Sequence, residues 1–256
     1  LYSLGITGVF TKDLDIALLN NEIDIAVHSL KDVPTILPQN IEVSAVLERD
    51  FPQDVLVRKS SSKNKDLSEL KIATSSLRRR AFWSEKFPNT QFSDIRGNVQ
   101  TRLKKLEEGD FDATLFSLAG IKRMEMELEY EMLDFMISAP SQGVVAISSR
   151  VDDVETKAIL QKINHKTTQI CVEIERNFLR TLEGGCTAPI GAIAVFEEHK
   201  IKFSGRLNSL DGSKTISVVE EFEYDESENY GKKFAEFVLE NGGKEMMEEI
   251  KKQIKE

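Results

Sequence analysis

The sequence predicts an α/β protein that carries a smaller α+β unit at its C-terminal end. Three observations predict it. As far as Arg150, short β-branched runs alternate with amphipathic helical segments. Several of those runs end in polar or glycine-containing groups, which is where ligand sites form in open α/β sheets. From Val151 onward the order changes to two helices, three strand-like runs and two further helices. At 256 residues the chain is long enough for two to three separate cores.

Taken in order, Phe10, Leu14, Ala17 and Leu18 recur at helical spacing after a loop with Gly5 and Gly8. Asp24 to Leu30 predicts a buried strand, and Ile41, Val43, Ala45 and Leu47 alternate as a second would. Asp50-Phe51-Pro52-Gln53-Asp54 predicts a crossover into another βα series. There Lys71 to Thr74 is a strand, and Ser75-Ser76 offer N-caps to a helix beginning near Leu77. Gln91 to Ile95 is a strand closed by Arg96-Gly97-Asn98. Asn98 can cap a helix with the stripe Val99, Leu103 and Leu106, ended by Gly109. Asp112 to Ser117 predicts a third strand, leading into Ala119-Gly120-Ile121-Lys122-Arg123. Leu133 to Ile137, and Val144 to Ile147 after Pro140-Ser141-Gln142-Gly143, predict strands returning toward the first series. This alternation predicts mainly parallel sheets covered on both faces.

Further on, Asp152 to Ile163 reads as a polar helix, and Ile170, Ile174, Phe178 and Leu182 mark one face of the next. Strands are expected at Ile193 to Phe196, Ile201 to Leu207 and Thr215 to Phe222, with a turn at Asp211-Gly212. Helices are expected at Tyr230 to Leu239 and Lys244 to Ile254. The chain opens on Leu1 and enters a helix almost at once, which predicts that an N-terminal βα unit is missing ahead of it.

Composition excludes several classes. Apolar content of 40% and charged content of 30% are those of a globular protein. No apolar run approaches the roughly 18 residues that span a bilayer. No export signal is visible, so the cytoplasm is the simplest compartment. Cys171 and Cys186 are too few for a disulfide framework and match no metal spacing. A net charge of −9 argues against a general nucleic-acid binder. Yet residues 75–105 hold eight Lys or Arg against Glu85 and Asp94 alone. Such a basic patch on an acidic chain predicts a small anion held in a cleft, with solvated lysines as the plainer reading for Lys86, Lys104 and Lys105.

Three groups carry chemistry. Arg78, Arg79 and Arg80 fall in the first turn of a helix, where the macrodipole disfavours cations by roughly 0.3–1 kcal/mol each. An anion at that helix end would explain them, since free N–H groups and guanidinium forks then converge on it. Arg96 and Arg102 belong to the next strand-turn-helix unit and can reach the same cleft. Carboxylate and phosphate both suit guanidinium, so the residues indicate a polyanion without identifying it. Pairing with nearby acids is the alternative. Lys31-Asp32 follows a strand end and is pinned by Pro34, which suits a carboxylate that moves protons or faces a developing cation. A turn-forming aspartate is the simpler account. Finally, Glu183-Gly-Gly-Cys-Thr-Ala-Pro-Ile-Gly191 presents one thiol on a loop between a helix and a strand. That thiol is either a buried small hydrophobe or a functional nucleophile. A hydrolase pairing Cys186 with His28 or His165 lacks any local signature.

Together these stretches resemble the porphobilinogen deaminase (hydroxymethylbilane synthase) family of tetrapyrrole and heme biosynthesis. The matching residues are Asp24-Ile-Ala-Val-His-Ser-Leu-Lys-Asp-Val-Pro34, Thr74-Ser-Ser-Leu-Arg-Arg79, Arg96-Gly-Asn98 with Arg102, Ala119-Gly-Ile-Lys-Arg123, and Leu182-Glu-Gly-Gly-Cys186 with Pro189-Ile-Gly191. The likeness runs from about Leu4 to the C-terminus. It implies two periplasmic-binding-protein-like α/β lobes, the first discontinuous and N-terminally incomplete (1–48 and 144–162), the second carrying the arginines (52–138). A third, α+β domain (165–256) would carry the cofactor cysteine on a loop into the cleft. It implies a dipyrromethane cofactor joined to Cys186 by a thioether. Four porphobilinogen units would be added head to tail with loss of ammonia, and hydroxymethylbilane released by a cytoplasmic monomer with neither nucleic acid nor membrane as partner. By position, Asp32 would be the catalytic carboxylate beside the electron-poor azafulvene that ammonia loss leaves, and the proton shuttle. Lys31, Ser29, Thr74, Ser76, Arg78, Arg79, Arg96, Gly97, Arg102 and Gly120 would bind cofactor or chain carboxylates, with no metal. The family's first βα unit, with its arginine, has no counterpart here, and Thr7 stands where the family's loop is usually basic. Two other readings remain open on the residues alone: a non-catalytic anion-binding protein on the same lobes, and a truncated inactive fragment.

Overall fold

The computed structural model describes residues 11–182 and 188–255. Helix α1 (Lys12–Leu19) buries Leu18 against Ala26 and Ile41, whereas Leu14 of its anticipated stripe faces solvent. Strand β1 (Ala26–Ser29) ends in a single 3₁₀ turn, Leu30–Asp32. Strand β2 (Ile41–Val46) follows. The chain then crosses to a second sheet.

That sheet opens with β3 (Asp54–Arg58), so Asp54, expected in the crossover, is the first residue of a strand. Next come β4 (Ile72–Ala73), α2 (Leu77–Lys86), β5 (Phe92–Ser93) and α3 (Val99–Glu108). After them stand β6 (Ala113–Ser117), α4 (Leu118–Arg123) and β7 (Glu131–Met132). The strand order is β5-β4-β6-β3-β7. Both faces are covered, as alternation along β3 requires. Leu56 joins Phe82, Trp83 and Leu115 on one side, while Val55 and Val57 join Leu106, Phe116 and Ile121 on the other. Capping follows the sequence: Ser76 accepts from the Arg79 amide at 3.4 Å and Asn98 from the Thr101 amide at 2.8 Å. The strand expected at Leu133 to Ile137 is not formed. Leu133 and Met136 are apolar because they plug the core beneath α2, and pairing stops at Met132.

The chain returns as β8 (Val145–Arg150), which lies between β1 and β2 and runs antiparallel to both. In the second sheet β3 likewise runs antiparallel to β6 and β7. Among the described residues only the β4–β5 and β4–β6 pairs are parallel, so the expectation of mainly parallel sheets is corrected. The cause is topological. The strands that cross between sheets, β3 and β8, enter from the end opposite to their neighbours. The two crossings lie side by side: Leu47 N donates to Val145 O and Asp50 N to Gly143 O, both at 3.0 Å. Gly143 has φ +87°, and a Cβ there would meet Phe51 O at 3.1 Å, so this close approach needs glycine.

After α5 (Val154–Leu160), the long helix α6 (Lys166–Thr181) buries Ile170, Ile174 and Phe178, with Leu182 just beyond it. Its other side places Val172 against Leu30, Val33 and Val46 of the first lobe. Strands β9 (Ile190–Glu197), β10 (Lys200–Asn208) and β11 (Thr215–Glu223) form an antiparallel sheet of order β11-β10-β9. Helices α7 (Tyr230–Val238) and α8 (Lys244–Lys255) complete this C-terminal domain. Phe203 links Phe178 (5.2 Å between ring centroids) to Phe234 (4.8 Å) in its core.

The C-terminal domain grips both lobes and the crossings between them. Buried Glu175 accepts from Arg49 Nη2 (2.6 Å), Ser141 N (2.6 Å) and Ala194 N (2.7 Å). At the second lobe, Glu85 accepts from Arg206 and Asn208. Gly212 packs so closely that an added Cβ would stand 2.5 Å from Ala81 O. Among the described residues no helix is long and apolar enough to cross a membrane.

Candidate active site

The turn after β1 sets out Lys31 and Asp32. Leu30 is buried and its amide donates to Val144 O at 2.9 Å, which anchors the turn to the first sheet. Adjacent residues on so tight a turn diverge. Lys31 points inward and its Nζ donates to Gln142 Oε1 at 3.2 Å, while Asp32 stays open to solvent. Burial, and then the charge of Arg79, push the Lys31 pKa down to about 8, against the pull of Asp32 and Asp54. Asp32 is raised from the ordinary aspartate value because surrounding protein strips water from a carboxylate that solvent still reaches. Lys31, Arg79 and His28 oppose that shift.

The arginine layer is organised by a residue that the motifs did not single out. Asp54, fully buried, accepts from Arg78 Nη1 at 2.7 Å through Oδ2. Through Oδ1 it accepts from Arg79 Nε at 3.0 Å and Nη2 at 2.8 Å. Burial alone would raise Asp54. The two guanidinium groups outweigh it and hold the carboxyl well below the usual range. Arg78 and Arg79 are therefore buried against an internal acid, their side chains only 7% and 9% exposed. The same acid answers the question of how cations are tolerated at the start of α2. Their remaining anchors are backbone carbonyls, Ile137 O for Arg78 (2.7 Å) and Leu115 O for Arg79 (2.8 Å).

Arg102 donates to the same Leu115 carbonyl and to Thr114 Oγ1, with its guanidinium 4.2 Å from the Phe116 ring centroid. Burial and then Arg79 lower it to about 10. Its Nε is buried with no hydrogen-bond partner among the described residues. Arg80 turns aside to Thr74 O and the exposed Asp94. Arg96 and Gly97 stand exposed beyond β5. Thr74 is buried, Ser76 is half-buried at its cap, Ser29 is half-buried on β1, and Gly120 lies in α4 above Ser117.

One side chain joins the two halves. Gln142, on the returning crossover, accepts from Lys31 and donates through Nε2 to Asp54 Oδ1 at 3.2 Å and to Pro52 O at 2.6 Å. Lys31 of the first lobe is thus wired to the Arg78-Arg79 pair of the second through Gln142 and Asp54. The structure brings together Lys31, Asp32, Arg78, Arg79 and Arg102, and leaves Arg96 on the exposed side. Asp54 was findable as the acid that precedes the buried run Val55-Leu56-Val57. Gln142 carried no pattern. Cys186 and Thr7 lie outside the described residues. His165 is engaged as the N-cap of α6, its Nδ1 2.8 Å from Thr168 Oγ1. Among the described residues no three His, Cys, Asp or Glu side chains are grouped to hold a metal.

A dipyrromethane bearing several carboxylates fits these residues. Four cations (Lys31, Arg78, Arg79 and Arg102) are gathered with two carboxylates, Asp32 and Asp54, and Arg96 stands outside on the exposed side. Lys31, Arg96 and Arg102 form no ion pair among the described residues, and the orphaned Arg102 Nε is a donor left over inside the layer.

Comparison with known proteins agrees with this chemistry. Residues 1–158 match the family model described as porphobilinogen deaminase, dipyromethane cofactor binding domain. Residues 169–240 match that of the porphobilinogen deaminase C-terminal domain. A probable porphobilinogen deaminase of Methanocaldococcus jannaschii is 52% identical over 202 residues, covering 77% of this chain and 68% of the relative. The porphobilinogen deaminase of Chlorobium luteolum is 39% identical over 262 residues, covering 98% of this chain and 83% of its own. Among solved structures, the L-cystine solute receptor of Neisseria gonorrhoeae aligns at 16% identity and a TM-score of 0.33, over 69% of this chain and 80% of the receptor.

Proposed function

The chain belongs to the porphobilinogen deaminase family, whose enzymes build hydroxymethylbilane on a dipyrromethane cofactor, and from that premise we propose how its own residues divide the work. Asp32 is the catalytic carboxylate, Lys31 and the arginine layer hold the acidic side chains of the growing pyrrole chain, and Cys186 is the point of attachment. The observation that carries this reading is the Lys31–Gln142–Asp54–Arg78/Arg79 connection. It sets an accessible aspartate beside a positively charged layer.

A dipyrromethane held by Lys31 and the arginine layer would supply an electron-rich pyrrole carbon as the nucleophile. Asp32 contributes a fixed negative charge beside the cation left when porphobilinogen loses ammonia, with surrounding protein stripping part of its water. Its raised pKa brings it nearer to the range in which a carboxyl group both takes and returns a proton. Arg102, Arg96 and Lys31 have donors to spare for substrate carboxylates. Arg78 and Arg79 share one carboxylate between two guanidinium groups, which leaves a surplus positive charge at the start of α2, where backbone N–H groups add to it. Ser29, Thr74, Ser76, Gly97 and Gly120 are assigned to binding of cofactor or chain carboxylates by their place in the family's motifs.

We divide the chain into residues 1–48 with 144–162, 52–138, and 165–256. The division is supported by the three sheets that these segments enter. The working form in this reading is a cytoplasmic monomer. The test is intact mass of freshly purified protein together with ammonia release from porphobilinogen. Two condensed pyrrole units of added mass are expected, lost in Cys186→Ser. Asp32→Ala is expected to fold, keep the added mass and lose turnover. An unmodified thiol in active protein, or near-normal turnover without Asp32, would overturn the assignment.

A further inference from the structure

Arg176 is a cation that no sequence motif pointed to and that pairs with no acid among the described residues. It stands on α6, the helix that leads by way of Leu182 into the Cys186 loop. Its guanidinium is spent on backbone. Nη1 donates to Leu30 O at 3.3 Å and Val33 O at 3.0 Å, and Nη2 to Pro34 O at 2.5 Å. These three carbonyls surround the turn that bears Lys31 and Asp32. They converge on one side of it, where Leu30 O also accepts from Val33 N at 3.1 Å. One helical turn earlier, Val172 packs on Leu30 and Val33. The same helix therefore holds the same turn twice, by an apolar contact and by a planar fork of donors. Burial, and then the neighbouring charge of Arg180, lower the Arg176 pKa to about 10, so the guanidinium is kept there against an electrostatic cost.

A charged group that merely solubilised α6 would point outward. One that braced only the C-terminal domain would bond within that domain. Arg176 does neither. We propose that Arg176 is a positioning residue that locks the Asp32 turn to the helix from which the chain runs on to Cys186, so that the carboxylate and the tethered pyrrole chain keep a fixed register. This rests on the roles of Asp32 and Cys186 given above. Arg176 touches neither substrate nor cofactor in this account and acts only through the backbone of residues 30–34.

The test uses loaded full-length enzyme and the variants Arg176→Met and Arg176→Lys. Met keeps much of the side chain's apolar length and removes every donor. Lys keeps the charge and loses the fork. Three quantities are measured: added mass on Cys186, kcat and KM for porphobilinogen, and amide hydrogen exchange over residues 30–36. The expected result is full loading, KM close to wild type and faster exchange in that segment. The Met variant should lose kcat by roughly 100-fold, as expected when a reacting group is misplaced by about 1 Å. Lys should recover part of the loss. Turnover per loaded molecule equal to wild type in the Met variant would overturn the proposal, even if that protein were less stable. If the Met variant does not fold, the Lys variant decides by the same criterion. Failure of the functional reading looks different, since wild-type protein would then carry no added mass and release no ammonia.

Discussion

Asp54→Asn removes the charge on which the arginine layer is built. Asn keeps an acceptor oxygen toward Arg79 but turns an amide toward Arg78 Nη1, donor against donor, where a 2.7 Å bond stood. Three charge-assisted bonds lose the acceptor's charge, and two guanidinium groups, 7% and 9% exposed, keep theirs. Breaking one partner of a buried ion pair costs about 3–5 kcal/mol, because the survivor is left without compensation. For a protein of this size each kcal/mol is worth about 2–4 °C, so melting should fall by roughly 6–20 °C. The loss should also depend on pH. Asp54 has a folded-state pKa below its unfolded value, so its stabilisation is present above about pH 4 and drains away as pH falls toward the folded pKa. The variant has no such component. The gap between the two proteins should therefore narrow by about 1.4 kcal/mol for each pH unit below about 4. Thermal and urea unfolding followed by circular dichroism, at neutral and acid pH, measure both. A drop of less than about 2 °C, or a gap that does not change with pH, would refute the reasoning.

Two further outcomes follow from single residues. The Lys31 pKa lies near 8 when folded, against 10.5 when free, so between those values the unfolded chain holds a proton that the folded chain has released. Stability should rise with pH across that window, and Lys31→Met should remove that part of the slope in urea midpoints taken from about pH 8 to 10. A slope identical in both proteins would contradict the burial of Lys31. At Gly212, with φ +74° and α2 backbone atoms 2.5 Å from any added Cβ, Ala should lower stability by about 1–3 kcal/mol, read as an earlier melt. An unchanged melt would show that the turn is not seated on α2.

The elements were legible where one signal was sufficient. Ser76 and Asn98 cap their helices, and Ile170, Ile174, Phe178 and Leu182 form the buried face of α6. The three C-terminal strands fall where alternation places them. Strand direction was not legible. Local periodicity is the same for a strand entering from either end, so the antiparallel setting of β3 and β8 depends on where the chain crosses. Leu133 and Met136 misled for a related reason, since burial marks apolar residues whether or not their backbone pairs. In the site, the motif residues Lys31, Asp32, Arg78 and Arg79 drew notice by composition and converge in space. Asp54, Gln142 and Arg176 did not, because each acts through partners more than 20 residues away in the chain.

The paired crossings have a mechanical consequence. A lone connecting segment is a swivel, free to twist as well as bend. Two segments laced together at Leu47–Val145 and Asp50–Gly143 resist twisting, and what freedom the C-terminal domain leaves the lobes is bending about that line, as a door bends about its jamb. Points far from the jamb travel furthest, while points on it barely move. Gln142 stands on the jamb, so its ties to Lys31 and Asp54 lie where any bending between the lobes displaces atoms least.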